Sequence, residues 1–266
     1  CFAYNLDGDL TNTPRYENCN IKEDGLFELE IGILNNIIFV RFSNMKQTLE
    51  EYYGDVVHRY INYPLEECKI VNENSYNVKA NWKILVENFC EYLHLTNIHK
   101  DLVKVSTLDN HITTQGTGNY VSFMTCPITD LESSPINSSI MTPMRHYIEN
   151  DIAHFIFLFP NCFMFLLPNH VYYVIIEPIS PTESKEKSIL MIHNNSIEDT
   201  DWVNSLTTFY DKVNCEDISI CESVQSGLKN KKYKSGIFVL PYEIGTYDFQ
   251  QLYIKHMTTP NGVSKL

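Results

Sequence analysis

The sequence predicts an α+β fold in which helices pack on one antiparallel β-sheet. Residues 154–195 hold three or four apolar segments separated by Pro-Asn or Pro-Thr-Glu-Ser turns, which is typical of an antiparallel meander. Residues 82–93 and 200–228 carry apolar side chains at the three-to-four spacing of amphipathic helices. At 266 residues, the chain is long enough to bury the core that such a fold requires.

The first 45 residues predict a separate β unit. The stretch "YNLDGDLTNTPRYE" has two short strands around an Asp-Gly turn, and "GLFELEIGILNNIIFVRFS" alternates with period two around an Asn-Asn turn. Two hairpins of this size cannot bury a core alone. We therefore expect two parts, residues 1–45 and residues 46–266.

The second part is predicted to begin with a short helix and a strand in "KIVNENSYNV", which leads into the helix that starts at Trp82. One face of that helix carries the apolar side chains of Trp82, Leu85, Val86, Phe89 and Leu93. Residues 104–150 are rich in Thr, Asn, Ser and Pro and predict loops around one strand near "NYVSFMTC". A long irregular stretch of this kind often covers or lines a site.

After the meander, residues 200–228 predict a long helix that lies on the sheet. Its apolar stripe consists of Trp202, Leu206, Phe209, Val213, Ile220, Val224 and Leu228. The segment "GIFVLPYEIGTYDFQQLYIKHM" predicts a strand and a short helix near the end of the chain.

Composition limits the classes of function. The formal net charge of −13 argues against a nucleic-acid partner, because phosphate binding needs clustered Lys and Arg. The basic run "KNKKYK" fits a solvated helix end. Eight cysteines without a CxxC pair favour a reducing, cytoplasmic compartment. No apolar run approaches the roughly 18 residues of a membrane span, so we expect no membrane association.

Candidate site residues concentrate in "NWKILVENFCEYLHLTNIHKDL". Glu87, Glu91 and His94 are spaced i, i+4 and i+7, so the pattern predicts Glu91 and His94 as neighbours on one helix surface. His99 lies five residues after His94, roughly 140° away around a continuous helix. It can converge with His94 only beyond the helix end, and residues 95–97, "LTN", are the expected break because they are poor in strong helix formers.

Asp217 is the unexpected residue of the long helix. Continuing the apolar stripe from Val213 by four residues leads to Asp217, and the stripe resumes at Ile220. A buried, unpaired carboxylate is costly, so a buried Asp217 needs a cation or strong donors. If the helix face is shifted by one residue, Glu216 and Asp217 both point to water, and periodicity does not decide between the two arrangements.

Two imidazoles and one carboxylate can bind one face of ferrous iron and leave the opposite positions open for O2 beside a substrate. His94, His99 and Asp217 have that chemistry. With nine histidines in the chain, spacing alone favours a chance pair over a ligand pair by roughly two to one.

The segment "NWKILVENFCEYLH", with a second histidine five residues on, resembles the iron-site signature of the catalytic large subunits of Rieske non-haem iron oxygenases. "EDISICESVQSGL" resembles the late segment that bears the family's carboxylate ligand, and residues 1–45 resemble the end of its Rieske cluster domain. "FLFPNCFMFLLPNHVYYVIIEPISP" and "LPYEIGTYDFQQLY" are similar to the branch of choline, glycine-betaine and carnitine monooxygenases. The resemblance covers nearly the whole chain and implies a helix-grip catalytic domain at residues 46–266.

The resemblance implies roles for four side chains. His94, His99 and Asp217 would ligate a mononuclear Fe(II). Glu91 would be the catalytic residue whose carboxylate accepts a hydrogen bond from a cluster-bound imidazole of the neighbouring subunit. Such a bridge implies a homotrimer, and the family's electrons come from a reductase or ferredoxin.

The chain departs from the family pattern in one important respect. It has no Cys-x-His or Cys-x2-His motif, so these 266 residues cannot hold a [2Fe-2S] centre. We expect a longer chain whose upstream portion carries the cluster. "EYLH", where relatives usually carry Glu-Cys-Tyr-His, leaves the iron ligands in place.

The leading hypothesis is an oxygenase that uses Fe(II) and O2 to hydroxylate a small organic substrate, with a quaternary amine expected from the branch. Aromatic side chains can cage a quaternary ammonium by cation-π attraction. An aromatic-ring hydroxylating dioxygenase of the same superfamily is one alternative. A non-catalytic ligand-binding protein, with a helix over a sheet, is the alternative from a different class.

Overall fold

The N-terminal part of the chain folds as two β-hairpins. The computed structural model describes residues 2–15, 25–42, 47–60, 63–104, 111–114, 116–127, 152–167 and 169–258. The four hairpin strands are β1 (Ala3–Tyr4), β2 (Leu10–Asn12), β3 (Leu29–Leu34) and β4 (Ile37–Phe42). Asn35 and Asn36 have φ angles of 50° and 63°, the pair of left-handed residues that a tight hairpin turn needs. Both predicted hairpins are confirmed.

The chain divides into two compact units, Cys1–Tyr52 and Tyr53–Leu266. The first contains both hairpins, and the second contains the elements that build the candidate site. The assignment of residues 1–45 to a cluster domain stays a prediction.

Seven antiparallel strands form the sheet of the second unit. They are β5 (Cys68–Val78), β6 (Ile112–Thr114), β7 (Tyr120–Pro127), β8 (Ile152–Leu158), β9 (Cys162–Leu166), β10 (His170–Ser180) and β11 (Glu183–His193). Their spatial order is β5-β11-β10-β9-β8-β7-β6. The predicted meander is confirmed as β8 to β11, and "NYVSFMTC" lies on β7. The loop predictions for residues 105–110 and 128–151 lie outside the described residues.

The described helices are α1 (Leu49–Tyr53), α2 (Val56–Arg59), α3 (Trp82–Phe89), α4 (Leu95–Ile98), α5 (Thr200–Gly227) and α6 (Ile244–Thr258). Asn81 caps α3, because its side chain accepts a hydrogen bond from the Lys83 backbone N–H at 3.0 Å. The Asn81 backbone N–H donates to Gln225 near the end of α5 at 2.8 Å. The start of α3 therefore lies beside the end of α5.

Aromatic side chains join the helices to the sheet. The ring centroids of Phe89 on α3 and Phe163 on β9 are 5.0 Å apart, and those of Phe249 on α6 and Phe157 on β8 are 5.5 Å apart. Phe157 and Phe163 are completely buried. Together with the antiparallel sheet, this packing confirms the predicted α+β class. Among the helices of the described residues, none combines the length and apolar character needed to cross a bilayer.

The predicted stripe of α5 is wrong in its second half. Val224 is 45% exposed and Leu228 is 40% exposed, whereas the buried residues of α5 are Leu206, Asn214, Asp217 and Cys221. Polar residues occupy two of these four inward positions, so hydrophobic periodicity cannot locate the inward face. The predicted helix itself, from Thr200 to about residue 228, is confirmed.

The strand predicted in "GIFVLP" is also wrong. Residues 235–239 are irregular, and Ile237 is 89% exposed. An apolar, β-prone segment becomes a strand only beside a partner strand, and none of the described strands pairs with this segment. The following helix, α6, is 15 residues long rather than short.

Candidate metal centre

A break in the helical structure after α3 positions the first histidine. The helix ends at Phe89, and the Glu91 carboxylate then accepts hydrogen bonds from the backbone N–H groups of Leu93 and His94, the second at 3.3 Å. A side-chain carboxylate that satisfies local backbone donors competes with continuation of the helix. The chain resumes helical structure only at α4.

This geometry corrects two details of the sequence interpretation. The break was predicted at residues 95–97, but these residues form part of α4, and the break lies at residues 90–94. Glu91 and His94 therefore do not share a helix with Glu87. They are still neighbours, because the second carboxylate oxygen of Glu91 contacts Nδ1 of His94.

The three predicted ligand side chains converge. One ligand atom from each of His94, His99 and Asp217 lies within 4.8 Å of the other two. Nε2 of His99 is 2.9 Å from Oδ1 of Asp217, and Nε2 of His94 is 3.4 Å from the same oxygen. The side chains of His99 and Asp217 are only 1% and 8% exposed. The arrangement in which Asp217 faces the protein interior is therefore the one that the structure adopts.

A carboxylate lies behind each imidazole. Glu91 contacts Nδ1 of His94, and Oε2 of Glu216 is 2.9 Å from Nδ1 of His99. With Nδ1 of each ring donating to its carboxylate, a neutral imidazole carries its lone pair on Nε2, the atom that faces Asp217. This hydrogen-bond pattern is the one that holds histidines as metal ligands in proteins.

The three groups shift one another's pKa values. Burial alone would lower the pKa of His94, but hydrogen bonds to Asp217 and Glu91 outweigh it and raise the pKa to about 9. The pKa of His99 is raised in the same way, against burial, mainly by its hydrogen bond to Asp217. Burial would raise the pKa of Asp217, but the hydrogen bonds from both imidazoles lower it. Each of the three groups therefore favours the charged form of the others.

Two residues of the site were missed from the sequence as site residues. Nδ2 of Asn88 donates a hydrogen bond to Oδ1 of Asp217 at 2.8 Å, and Glu216 accepts from His99. Asn88 is the asparagine of the "ENF" signature, and Glu216 directly precedes Asp217. Position within a motif is therefore the only sequence signal for either residue.

A cavity opens beside the three convergent side chains. About 100 Å³ of it is open to a water-sized group, and its mouth opens to solvent. Most of its wall is apolar or aromatic, contributed by Phe89, Leu95, Leu102, Phe155, Phe165, Leu167, Tyr172, Phe209, Tyr210 and Val213. The polar part of the wall consists of Asn88, Glu91, His94, His99, Asn214 and Asp217. None of the described lining residues is Lys or Arg.

Part of the aromatic wall is held rigidly. The rings of Tyr172 and Tyr210 stack with centroids 4.1 Å apart. The hydroxyl of Tyr210 lies 2.6 Å from Nε2 of His170, whose Nδ1 lies 2.6 Å from the side-chain oxygen of Asn169. Burial lowers the pKa of His170 to about 3, so this imidazole is neutral and accepts from the tyrosine.

Comparison with known proteins identifies the fold and the family. The family described as "Ring hydroxylating alpha subunit (catalytic domain)" matches residues 65–259. The chloroplastic choline monooxygenase of Spinacia oleracea is 24% identical over 261 residues, covering 93% of this chain and 56% of that protein. The glycine betaine monooxygenase oxygenase subunit of Pseudomonas aeruginosa is 22% identical, covering 98% of this chain and 69% of that protein. The chain thus spans little more than half the length of the spinach enzyme.

Solved structures have the same fold. A quaternary ammonium Rieske monooxygenase studied in carnitine oxidation by gut microbiota matches with a TM-score of 0.79 and 18% identity, over 96% of this chain and 70% of that chain. A naphthalene 1,2-dioxygenase with bound indole matches with a TM-score of 0.70 and 15% identity, over 98% and 72% of the two chains. The family match covers well over half of the sequence and confirms the resemblance seen in its motifs. The chain therefore belongs to the ring-hydroxylating alpha subunits, whose catalytic domain it carries at residues 65–259.

Proposed function

We propose that this chain is the catalytic portion of a Rieske-type oxygenase in which His94, His99 and Asp217 hold one Fe(II). The observation that carries the proposal is the convergence of two imidazoles and one carboxylate within 4.8 Å, beside a largely apolar cavity. This donor set is the one that binds non-haem Fe(II) on one face. Ferrous iron held there would supply O2 activation, with one oxygen atom entering a substrate C–H bond, the other leaving as water, and two electrons and two protons coming from outside the chain.

The protein's own side chains prepare the ligands. Glu91 and Glu216 fix the orientation and tautomer of His94 and His99, which leaves both Nε2 atoms available to one ion. Asn88 donates to Asp217 and holds its carboxylate toward the two rings. The apolar wall excludes water from the space where a substrate would lie.

The proposed substrate is a small quaternary amine. Five rings of the cavity wall, Phe155, Phe165, Tyr172, Phe209 and Tyr210, can surround a quaternary ammonium and attract it by cation-π interaction. None of the described lining residues is Lys or Arg, so no permanently cationic side chain of the wall would repel a quaternary ammonium. The relatives named for choline, glycine betaine and quaternary ammonium substrates support the same class. Hydroxylation at a carbon next to nitrogen would be followed by cleavage of that C–N bond, which would release an aldehyde, a tertiary amine and a proton.

The electron path belongs to the same proposal. A [2Fe-2S] cluster in a longer chain would receive electrons from a reductase or ferredoxin, and Glu91 would accept a hydrogen bond from a cluster-bound imidazole of the next subunit in a homotrimer. Glu91 already accepts from His94 and the local backbone, and a carboxylate has about four acceptor positions, so it can still take another donor. A cytoplasmic location is supported by the free cysteines of the described residues: Cys68, Cys90, Cys162, Cys215 and Cys221.

Iron stoichiometry tests the proposal. The 266-residue chain is reconstituted with Fe(II) without O2, and bound iron is counted after gel filtration. We expect one iron per chain, its loss in His94→Ala, and no change in His58→Ala, which replaces an exposed histidine. A wild-type chain without stoichiometric iron would favour the non-catalytic ligand-binding protein. Binding of naphthalene but no quaternary amine would favour the aromatic-ring dioxygenase.

A further inference from the structure

One face of α5 carries an aromatic ring, an amide and a carboxylate. Tyr210, Asn214 and Asp217 are spaced i, i+4 and i+7, and all three line the cavity. Successive members of this row are about one helical turn apart, close to 5 Å along the axis. A ligand group held at Asn214 would therefore lie next to the aromatic wall and next to the candidate metal centre at the same time.

Asn214 is buried and incompletely bonded. It is 3% exposed, and its Nδ2 has no hydrogen-bond partner. Its amide faces Glu186 on β11, which is 1% exposed and whose Oε1 also has no partner. Burial raises the pKa of Glu186 to about 8, and the approach of Asn214 opposes that rise only in part, without reaching normal hydrogen-bond geometry. The amide nitrogen is thus turned away from the cavity and toward the carboxyl group of Glu186.

The surroundings of Asn214 determine what kind of group it can take. Because its nitrogen is directed toward Glu186, the oxygen Oδ1 is the polar atom that remains for the cavity. An amide oxygen accepts a hydrogen bond from a hydroxyl group, but an ionised carboxylate has no proton to donate.

Charge favours the same choice. Glu91 and Asp217 place two carboxylates in the cavity wall. A carboxylate on the substrate would add another negative charge where none of the described lining residues is Lys or Arg. A hydroxyl group adds no charge and can be bonded by the amide.

We infer that Asn214 binds the hydroxyl group of the substrate, so that the cavity selects a quaternary ammonium with a hydroxyl tail over one with a carboxylate tail. The inference deepens the proposed function and rests on it. Asn214 is a specificity residue in this assignment. The aromatic wall holds the ammonium, and the amide holds the other end of the same molecule.

Calorimetric titration tests the assignment. The full 266-residue chain with Fe(II), kept free of O2, is titrated with choline, with propyltrimethylammonium, which has a methyl group in place of the hydroxyl, and with glycine betaine. We expect choline to bind about tenfold more tightly than propyltrimethylammonium, and glycine betaine to bind more weakly than choline. Asn214→Leu has the same branched shape without polar atoms, so the affinities of choline and propyltrimethylammonium should become equal.

Each other outcome has a defined meaning. Equal affinities for choline and propyltrimethylammonium in the wild-type chain, or tighter binding of glycine betaine than of choline, overturn the inference and leave the proposed function standing. A chain that binds no quaternary amine overturns the inference and the proposed substrate class together. Asn204→Leu makes the same chemical change at an exposed position of α5 and should keep the preference for choline. If Asn214→Leu does not fold by circular dichroism, Asn214→Ala provides the same comparison.

Discussion

The metal-free chain should lose stability as the pH rises from 6 to 10, because the candidate metal centre then loses protons that hold it together. The pKa of His94 is about 9 in the folded chain and 6.5 for an ordinary histidine, which represents the unfolded chain. A raised pKa contributes stability that is fully present below pH 6.5 and is lost as the pH rises through 9. Asp217, with a lowered pKa, stays ionised over this range and contributes no slope.

The size of the expected loss of stability follows from the shift in the pKa of His94. Each pH unit between the two pKa values is worth about 1.4 kcal/mol, so His94 contributes up to about 3 kcal/mol. His99 changes the stability in the same direction. For a domain of this size, about 3 kcal/mol corresponds to a fall in Tm of roughly 6–12 °C.

The assay is a set of thermal melts in EDTA at pH 6, 7, 8, 9 and 10, for the wild-type chain and for Asp217→Asn. The variant removes the charged acceptor shared by His94 and His99, so the difference between the two chains isolates the site from the other titrating groups. We expect the difference in Tm to shrink as the pH rises. Identical slopes in the two chains would refute the electrostatic account of the cluster.

Three further predictions concern single side chains. Glu216→Gln weakens the acceptor behind Nδ1 of His99, and we expect Fe(II) affinity in an anaerobic titration to fall about 10- to 100-fold. Unchanged affinity would contradict the role of this carboxylate. Tyr210→Phe keeps the ring but leaves His170 without its donor, so a denaturant titration should show that the free energy of unfolding falls by about 1–3 kcal/mol, with choline affinity within twofold of wild type. Tyr210→Leu removes the ring and should weaken choline binding about fivefold. Equal binding by both variants would count against the cation-π wall. Phe157→Ala creates a cavity at a completely buried position between the sheet and α6, so the free energy of unfolding should fall by about 3–5 kcal/mol. A loss below about 1 kcal/mol would show that this contact is not core packing.

Long periodic elements could be predicted from the sequence, because a buried apolar face repeats over several turns or several alternations. The meander and α5 were predicted on that basis, and the β3–β4 hairpin was predicted from the Asn-Asn turn, where both residues adopt positive φ angles. The candidate ligands His94, His99 and Asp217 were predicted from chemistry and from the resemblance, and the structure brings them together.

Features that depend on tertiary partners could not be predicted. Residues 95–97 look like a helix break because they are poor helix formers, but Glu91 captures the backbone N–H of Leu93 and His94 and moves the break to a position before them. The inward face of α5 was placed incorrectly because Asn214 faces inward as a polar residue. Neither effect leaves a hydrophobic signal in the sequence.

The span of sequence between the candidate ligands has a consequence for how the protein matures. His99 and Asp217 are 118 positions apart, so an ion bound by both would act as a cross-link that closes a long loop. Before α5 docks against α3, a nascent chain has only the two imidazoles and cannot retain iron firmly. If the proposed Fe(II) binds there, its capture would follow folding rather than guide it, and the ion would enter a chain that has already taken its shape.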